Sequence, residues 1–182
     1  PAGKVIDAFQ IESVPPDTAA CATCAPVLMS FAETVTLTMD GIVTPTVIGP
    51  ADIVRFQPTA TDPQWGHILA GGFSLYRTAT DMGIPAGANI DALDRAPDGR
   101  LLVSLTTDSA PNVLVAGRAV DKEDLAAVAE DAATWSLYFD SDQIPFNPFA
   151  DGLTAAWIDG NGDIYISGDP IGGSALAFIN AE

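Results

Sequence analysis

Asp98-Gly99-Arg100-Leu101-Leu102-Val103-Ser104-Leu105-Thr106-Thr107-Asp108 is the stretch on which the reading of this chain turns. Asp98-Gly99 reads as a two-residue hairpin turn of type I′, and it feeds an alternating, β-branched strand that closes on an aspartate. Gly160-Asn161-Gly162-Asp163-Ile164-Tyr165-Ile166-Ser167-Gly168-Asp169 has the same shape. Glu33-Thr34-Val35-Thr36-Leu37-Thr38-Met39-Asp40 reads as a worn third version, with Val35, Leu37 and Met39 on one face. A strand phrase that recurs points to a body built from copies of one unit.

Outward from these phrases the order of elements repeats. Ile90-Asp91-Ala92-Leu93 matches Ile6-Asp7-Ala8-Phe9, and Val103-Ser104-Leu105-Thr106 matches Val35-Thr36-Leu37-Thr38. Glu123 to Val128 takes the place of Asp52 to Phe56. Trp135-Ser136-Leu137-Tyr138-Phe139 repeats Phe73-Ser74-Leu75-Tyr76-Arg77 at a distance of 62 residues. A third round runs through Leu153–Trp157, Ile164–Ser167 and Ala175–Ile179, without a third Ser-Leu-Tyr strand. The pattern predicts an all-β domain over 1–182, made of three repeats of about four short antiparallel strands. The units fall near 1–80, 81–142 and 143–182, the last incomplete, with an irregular cysteine-containing insert at 13–27. Residues 121–133 are Ala-rich and helix-prone, whereas the repeat places a strand at Asp124–Val128, and the repeat is preferred.

Seven Lys+Arg against 24 Asp+Glu give a net charge of -17, while 48% of residues are hydrophobic. That apolar content suits a folded body rather than a disordered chain. The charge repels phosphate backbones and anionic lipid, so no nucleic-acid partner is expected. No apolar run approaches the ~20 residues that span a bilayer, so no membrane insertion is expected. The first residue is Pro1 rather than Met, which sets the expectation of a removed leader and an extracellular or periplasmic location.

Pro97-Asp98-Gly99-Arg100-Leu101-Leu102-Val103-Ser104 and Gly160-Asn161-Gly162-Asp163-Ile164-Tyr165-Ile166-Ser167 resemble the turn and inner strand of β-propeller blades, of the NHL and gluconolactonase types. The fuller pattern also resembles repeats of uncharacterised secreted bacterial proteins, over residues 51–179. The resemblance implies a propeller-like fold and an exported bacterial protein, and it brings no established activity. Propellers close with at least about four blades. Three units therefore imply either completion by another chain, a protein partner or a homo-oligomer, or a β-trefoil-like pseudo-threefold body instead.

Candidate chemistry is sparse. Asp40, Asp108 and Asp169 are read as closing the same strand in each unit, and Asp7 and Asp91 recur in another, so these acids could converge on an axis and hold a cation. Duplication with strand-end capping explains them without an ion, and that reading is preferred. Asp159, Asn161 and Asp163 alternate like the start of a calcium loop, but Ile164 and Pro170 stand where an EF-hand needs Gly and Glu, and an Asn-Gly turn accounts for them without an ion. No cofactor is required on this reading; Ca2+ at Asp40, Asp108, Asp169, Asp159, Asn161 and Asp163 is the one candidate. His67 beside Trp65 has no nucleophile partner. Trp135, Tyr138 and their copies Phe73 and Tyr76 read as core packing rather than a carbohydrate platform. The functional expectation is an exported acidic binding or assembly module without catalysis. A metal-dependent hydrolase of gluconolactonase-like propeller type and a calcium-stabilised surface-layer or filament protein are the alternatives.

Cys21-Ala22-Thr23-Cys24 holds both cysteines of the chain. Residue 25 is Ala, not the His of a haem-attachment motif, and zinc would need two more ligands. In an exported protein a Cys21–Cys24 disulfide is favoured over redox, metal or free-thiol roles. Alkylation without reductant should then leave the intact mass unchanged. Because the ring is short, reduction should lower Tm only slightly. Two alkylated thiols in freshly isolated protein rule the bridge out.

Overall fold

The computed structural model describes residues 5–12, 24–62, 67–107, 112–115, 118–129, 134–143, 152–168 and 175–179. The strands are β1 (Ile6–Ile11), β2 (Val27–Phe31), β3 (Val35–Leu37), β4 (Thr46–Ile48), β5 (Ile53–Thr61) and β6 (Ile68–Arg77), followed by the short helix α1 (Ala79–Met82). Then come β7 (Ala88–Arg95), β8 (Leu101–Thr107), β9 (Asn112–Val115), β10 (Arg118–Asp121), β11 (Leu125–Val128) and β12 (Trp135–Phe139). The last are β13 (Leu153–Ile158), β14 (Ile164–Gly168) and β15 (Ala175–Ile179).

These strands form three blade-like antiparallel sheets, ordered β1-β2-β5-β6, β7-β8-β11-β12 and β13-β14-β15. Among the described residues two of them are four-stranded and the third has three strands. The fold is all-β and propeller-like, as the repeat implies. Among the described residues every ladder stays within one unit, which separates the fold from a trefoil body. The Ala-rich stretch is the strand β11, because its four residues are buried on both faces between neighbouring sheets.

The second strand of the first sheet corrects the sequence reading. Val27-Leu28-Met29-Ser30-Phe31 fills that place, not Val35–Thr38. Leu28, Met29, Ser30 and Phe31 are all buried, so the strand is apolar on both faces and carries no alternation to betray it. Val35–Leu37 instead pairs with Thr46–Ile48 as an inserted hairpin. A second inserted hairpin, β9–β10, lies at the corresponding point of the second unit. Asp40 therefore lies within an insert, between β3 and β4, and not at the end of the second strand of its sheet; Asp108 and Asp169 lie outside the described residues.

The sheets stack face to face. Leu28 and Ile53 of the first meet Ile90, Leu101, Val103 and Leu105 of the second. Leu102, Leu125 and Ala127, on the opposite face of the second sheet, meet Leu153, Ile158, Ile164 and Ile166 of the third. At roughly 1.5–3 kcal/mol for each large aliphatic side chain fully buried, these two interfaces are the main source of stability. The outer face of the first sheet is covered by the β3–β4 hairpin, which packs Val35, Leu37 and Ile48 on Met29, Phe31 and Val54.

One aspartate per four-stranded sheet ties its strand ends together. Asp52, just ahead of β5, accepts from the Gly49 amide at 2.8 Å through Oδ2 and from the Ala79 amide at 2.7 Å through Oδ1. Asp124, just ahead of β11, does the same with the amides of Asp121 at 3.0 Å and Ser141 at 2.9 Å. Each carboxylate closes the turn before the third strand and pins the residue just past the fourth. Hydrogen bonds to an ionised acceptor contribute about 1.5–3 kcal/mol each.

The turn at Gly99 also differs from the reading. The Gly99 amide donates to Ala96 O at 2.8 Å, and Ala96 N to Arg100 O at 2.9 Å. The loop therefore has three residues, a type I turn centred on Pro97-Asp98 with Gly99 in a bulge at φ 91°. Pro97 suits the first central position and has no N–H for the ladder that a two-residue loop needs. Asp159–Asp163 forms the same loop, with Gly162 at φ 92°. A Cβ on Gly99 meets nothing within 4 Å, so a substitution there is penalised by backbone strain alone. Gly99→Val should lower stability by about 1–2 kcal/mol in thermal melts, and Gly99→Asn by clearly less. Equal tolerance of both rules out the left-handed assignment.

Candidate functional site

The first strand of each sheet lines a central cavity of about 460 Å³. β7 packs against both β1 and β13, whereas β1 and β13 meet only marginally. Each of these strands carries a bulge at the same place: after Ile6 in β1, after Ile90 in β7 and after Leu153 in β13. The residues at the bulges are Asp7, Asp91 and Thr154, and all three line the cavity. A bulge re-aims a side chain out of the regular alternation. Here it has the same effect in three successive units.

Asp7 and Asp91, matched in the sequence, are brought together. The Asn89 side-chain amide lies between them and donates to Asp7 Oδ2 and Asp91 Oδ1. Burial first, with the neighbouring Asp7 adding to it, pushes the Asp91 carboxyl up to about 7 against the Thr106 hydroxyl that stabilises its ionised form. Near neutral pH Asp91 is therefore partly protonated and donates toward Asp7, as two carboxylates at close range must. Asn89 Oδ1 and Gln10 Oε1 are buried and have no hydrogen-bond partner among the described residues. Deeper in the wall, Asp94 is 6% exposed and accepts from the Ile158 amide at 2.6 Å, joining the second sheet to the third. Its carboxyl is raised by burial.

A cationic seam supports the wall on the other side. Glu12, at the end of β1, receives Arg55 Nε at 2.7 Å and Arg95 Nη2 at 3.4 Å. Arg95 also donates to Gly99 O at 2.7 Å and to the Tyr76 hydroxyl at 3.0 Å, so one guanidinium spans the first two sheets. Ser30 Oγ donates to Ile90 O at 3.1 Å within the same interface.

Of the acids singled out for calcium, Asp40, Asp159 and Asp163 lie among the described residues. Asp40 sits in an exposed turn after β3, and its amide donates to Phe73 O at 2.8 Å. Asp159 accepts from the amides of Asn161 at 2.8 Å and Asp163 at 3.0 Å, and from Asn161 Nδ2 at 3.3 Å. It closes its own hairpin. Among the described residues no group of three or more His, Cys, Asp or Glu side chains is arranged to hold a metal ion. Cys24 is buried, and Cys21, with the proposed bridge, lies outside the described residues. His67 is exposed, beside residues outside the described set. Among the aromatics, Tyr76 and Trp135 pack on the core between the first two sheets, and Trp135 Nε1 donates to Met82 O at 2.6 Å. Trp157 does not behave as core. It is 56% exposed and stacks on Tyr165 with centroids 4.7 Å apart.

The pattern Ile-Asp-Ala was the one sequence signal for this cavity. Asn89 and Gln10 had none, because their roles depend on bulges that no residue type announces. Asp52 and Asp124 were visible as acids opening matching strands, yet their double acceptor geometry needs the fold to bring Ala79 and Ser141 back to them.

No family model matches the chain, and no curated protein matches it. Among solved structures it is similar to the WD40 β-propeller domain of Doa1, at 10% identity and a TM-score of 0.36, over 97% of this chain and 51% of that one. The chain thus spans about half the length of that neighbour. Among the described residues no helix is long and apolar enough to cross a membrane.

The Asp91 carboxyl makes stability depend on pH with a definite sign. Its folded-state pKa, about 7, lies above the ordinary 3.8, so the folded state holds the proton more tightly. That contribution is intact below 3.8 and is lost as pH rises toward 7. Asp91→Asn should raise Tm at pH 8 by on the order of 5 °C, the equivalent of about 1–2 kcal/mol once solvent near the pair is allowed for. At pH 4 it should change Tm little. An equal effect at both pH values would show that the pair shares no proton.

Proposed function

We propose that the protein is an exported, non-catalytic assembly module that pairs with a second copy of itself through the outer face of its third sheet. The observation that carries this is the difference between the two ends of the stack. At the first sheet the β3–β4 hairpin covers the apolar face. At the third, the Trp157–Tyr165 pair stands open to solvent. A head-to-tail ring needs two complementary ends, and one is occupied. A twofold contact between two third sheets needs only the open one, and it closes on itself. Phe9 and Ile11, 61% and 60% exposed at the cavity rim, add apolar surface to the same molecule. A location outside the cytoplasm fits the Cys21-Ala22-Thr23-Cys24 pair and an acidic, soluble surface.

The metal-dependent hydrolase is the second reading, favoured by the convergence of Asp7 and Asp91 on a cavity. It ranks lower because the Asn89 amide already holds the space between those carboxylates. Calcium stabilisation of a surface-layer or filament protein would act instead through Asp40, Asp108, Asp169, Asp159, Asn161 and Asp163.

Sedimentation equilibrium at rising protein concentration tests the module. The 18.8 kDa chain should approach twice that mass, more readily in added salt because each copy carries -17. Trp157→Glu should return it to a monomer without lowering Tm, since Trp157 is exposed. A chelator should change neither mass nor Tm. A strictly monomeric wild type overturns the twofold pairing, and chelator sensitivity transfers weight to the metal readings.

A further inference from the structure

We infer that the cavity at the first strands is a binding site for a small organic amine, a primary ammonium joined by a short apolar body to a hydrogen-bond donor. This function goes beyond pairing between copies. β1 and β7 bring Asp7 and Asp91 to the cavity at their bulges, and β13 brings the Thr154 hydroxyl at its own. The Asn89 side-chain amide donates to one oxygen of each carboxylate, Asp7 Oδ2 and Asp91 Oδ1. A neutral amide fixes the pair without neutralising it. The proton that the two carboxyls share near neutral pH marks the place of a cation, and a pair holding one proton presents one net charge. A divalent metal would need further oxygen ligands, and among the described residues no third acid is arranged with these two. An ammonium needs one charge and acceptors for its N–H groups.

The other charged groups on the lining are engaged elsewhere. Asp94 accepts from the Ile158 amide, and Arg95 is held by Glu12, Gly99 O and the Tyr76 hydroxyl. The Asp7–Asp91 pair is therefore the charge that a ligand meets. Ala8, Ala92 and Ala155 follow the three bulge residues, and Phe9 and Leu93 come next, so an apolar body lies against apolar walls. Gln10 supplies the far end. It lies three residues along β1 from Asp7, no more than about 10 Å at the rise of an extended strand. Its Nε2 donates to Ile11 O at 3.0 Å, which fixes the orientation of the amide. Its Oε1 is buried and has no hydrogen-bond partner among the described residues. A buried carbonyl oxygen is costly to leave unpaired, and a donor on the ligand removes that cost. A volume of about 460 Å³ suits a molecule of this kind.

The probe is tyramine, which has an ammonium at one end and a phenolic hydroxyl at the other. Isothermal titration of the whole chain at pH 8 should show one saturable site. The uncharged analogue 4-hydroxyphenethyl alcohol should bind at least about tenfold more weakly, which isolates the ammonium. Phenethylamine, which lacks the hydroxyl, should bind the wild type more weakly than tyramine does, and Gln10→Ala should bind the two equally. Because the ammonium displaces the shared proton, lowering the pH from 8 to 6, through the Asp91 pKa of about 7, should weaken tyramine about tenfold. Asp91→Asn should weaken it at least about tenfold at pH 8 and abolish that pH dependence. Asp40→Asn removes the same charge from an exposed turn and should bind as the wild type does. Absence of saturation, equal binding of the amine and the alcohol, or equal losses in Asp40→Asn and Asp91→Asn overturns the inference. Displacement of tyramine by calcium beyond that by NaCl at matched ionic strength also overturns it and hands the site to a metal.

Discussion

A four-stranded sheet that is apolar on both faces cannot be stable by itself, and the second sheet of this protein is such a sheet. Val103 and Leu105 point one way and Leu102 the other, all fully buried. β11 is buried at every position. Two neighbours must therefore cover it, one on each side, and the stack of three follows. The same requirement passes outward to the end sheets. The first meets it with an inserted hairpin made from the chain between its second and third strands. Stacking, not local propensity, decides the structure, which is why an Ala-rich segment suited to a helix lies in a strand.

Stacking alone leaves strand ends free to fray, and the polar groups fix them. Asp52 and Asp124 each use both carboxylate oxygens on backbone amides, one before the third strand and one past the fourth, at the same end of their sheet. Arg95 and Asp94 join adjacent sheets, one by a guanidinium that spans two and the other by a buried carboxylate on the Ile158 amide. Such contacts suit the rim and the axis, where β-bulges leave backbone groups outside the regular ladder. The cavity between the first strands exists because those bulges tilt Asp7, Asp91 and Thr154 inward. Two carboxylates so placed cannot both remain ionised at low cost, and the Asn89 amide together with a shared proton resolves the conflict.

Much of this order was legible in the residues. Ile-Asp-Ala-Phe against Ile-Asp-Ala-Leu marked equivalent first strands, and the two Ser-Leu-Tyr phrases marked equivalent fourth strands, because aromatic and aliphatic side chains at these positions meet the same neighbours in each unit. Val27–Phe31 was not legible. A strand buried on both faces shows a plain apolar run, while the solvent-facing Thr36 of the β3 hairpin gives Val35–Leu37 the alternation a reader looks for. Insertion of that hairpin displaced Asp40 from the role assigned to it. The Gly99 turn was half legible: the glycine marked positive φ, and Pro97 carried the loop length that the Asp-Gly pair concealed.

The two ends of the stack explain why so acidic a chain should still present apolar surface. Net charge of -17 opposes close approach of copies everywhere on the body. An apolar patch overcomes that opposition only where geometry concentrates it, and the hairpin over the first sheet removes one of two candidate places. What remains is the third sheet, with its outward Trp157–Tyr165 pair. On the proposed pairing that face needs shape and apolar area, which a second copy would supply through twofold symmetry.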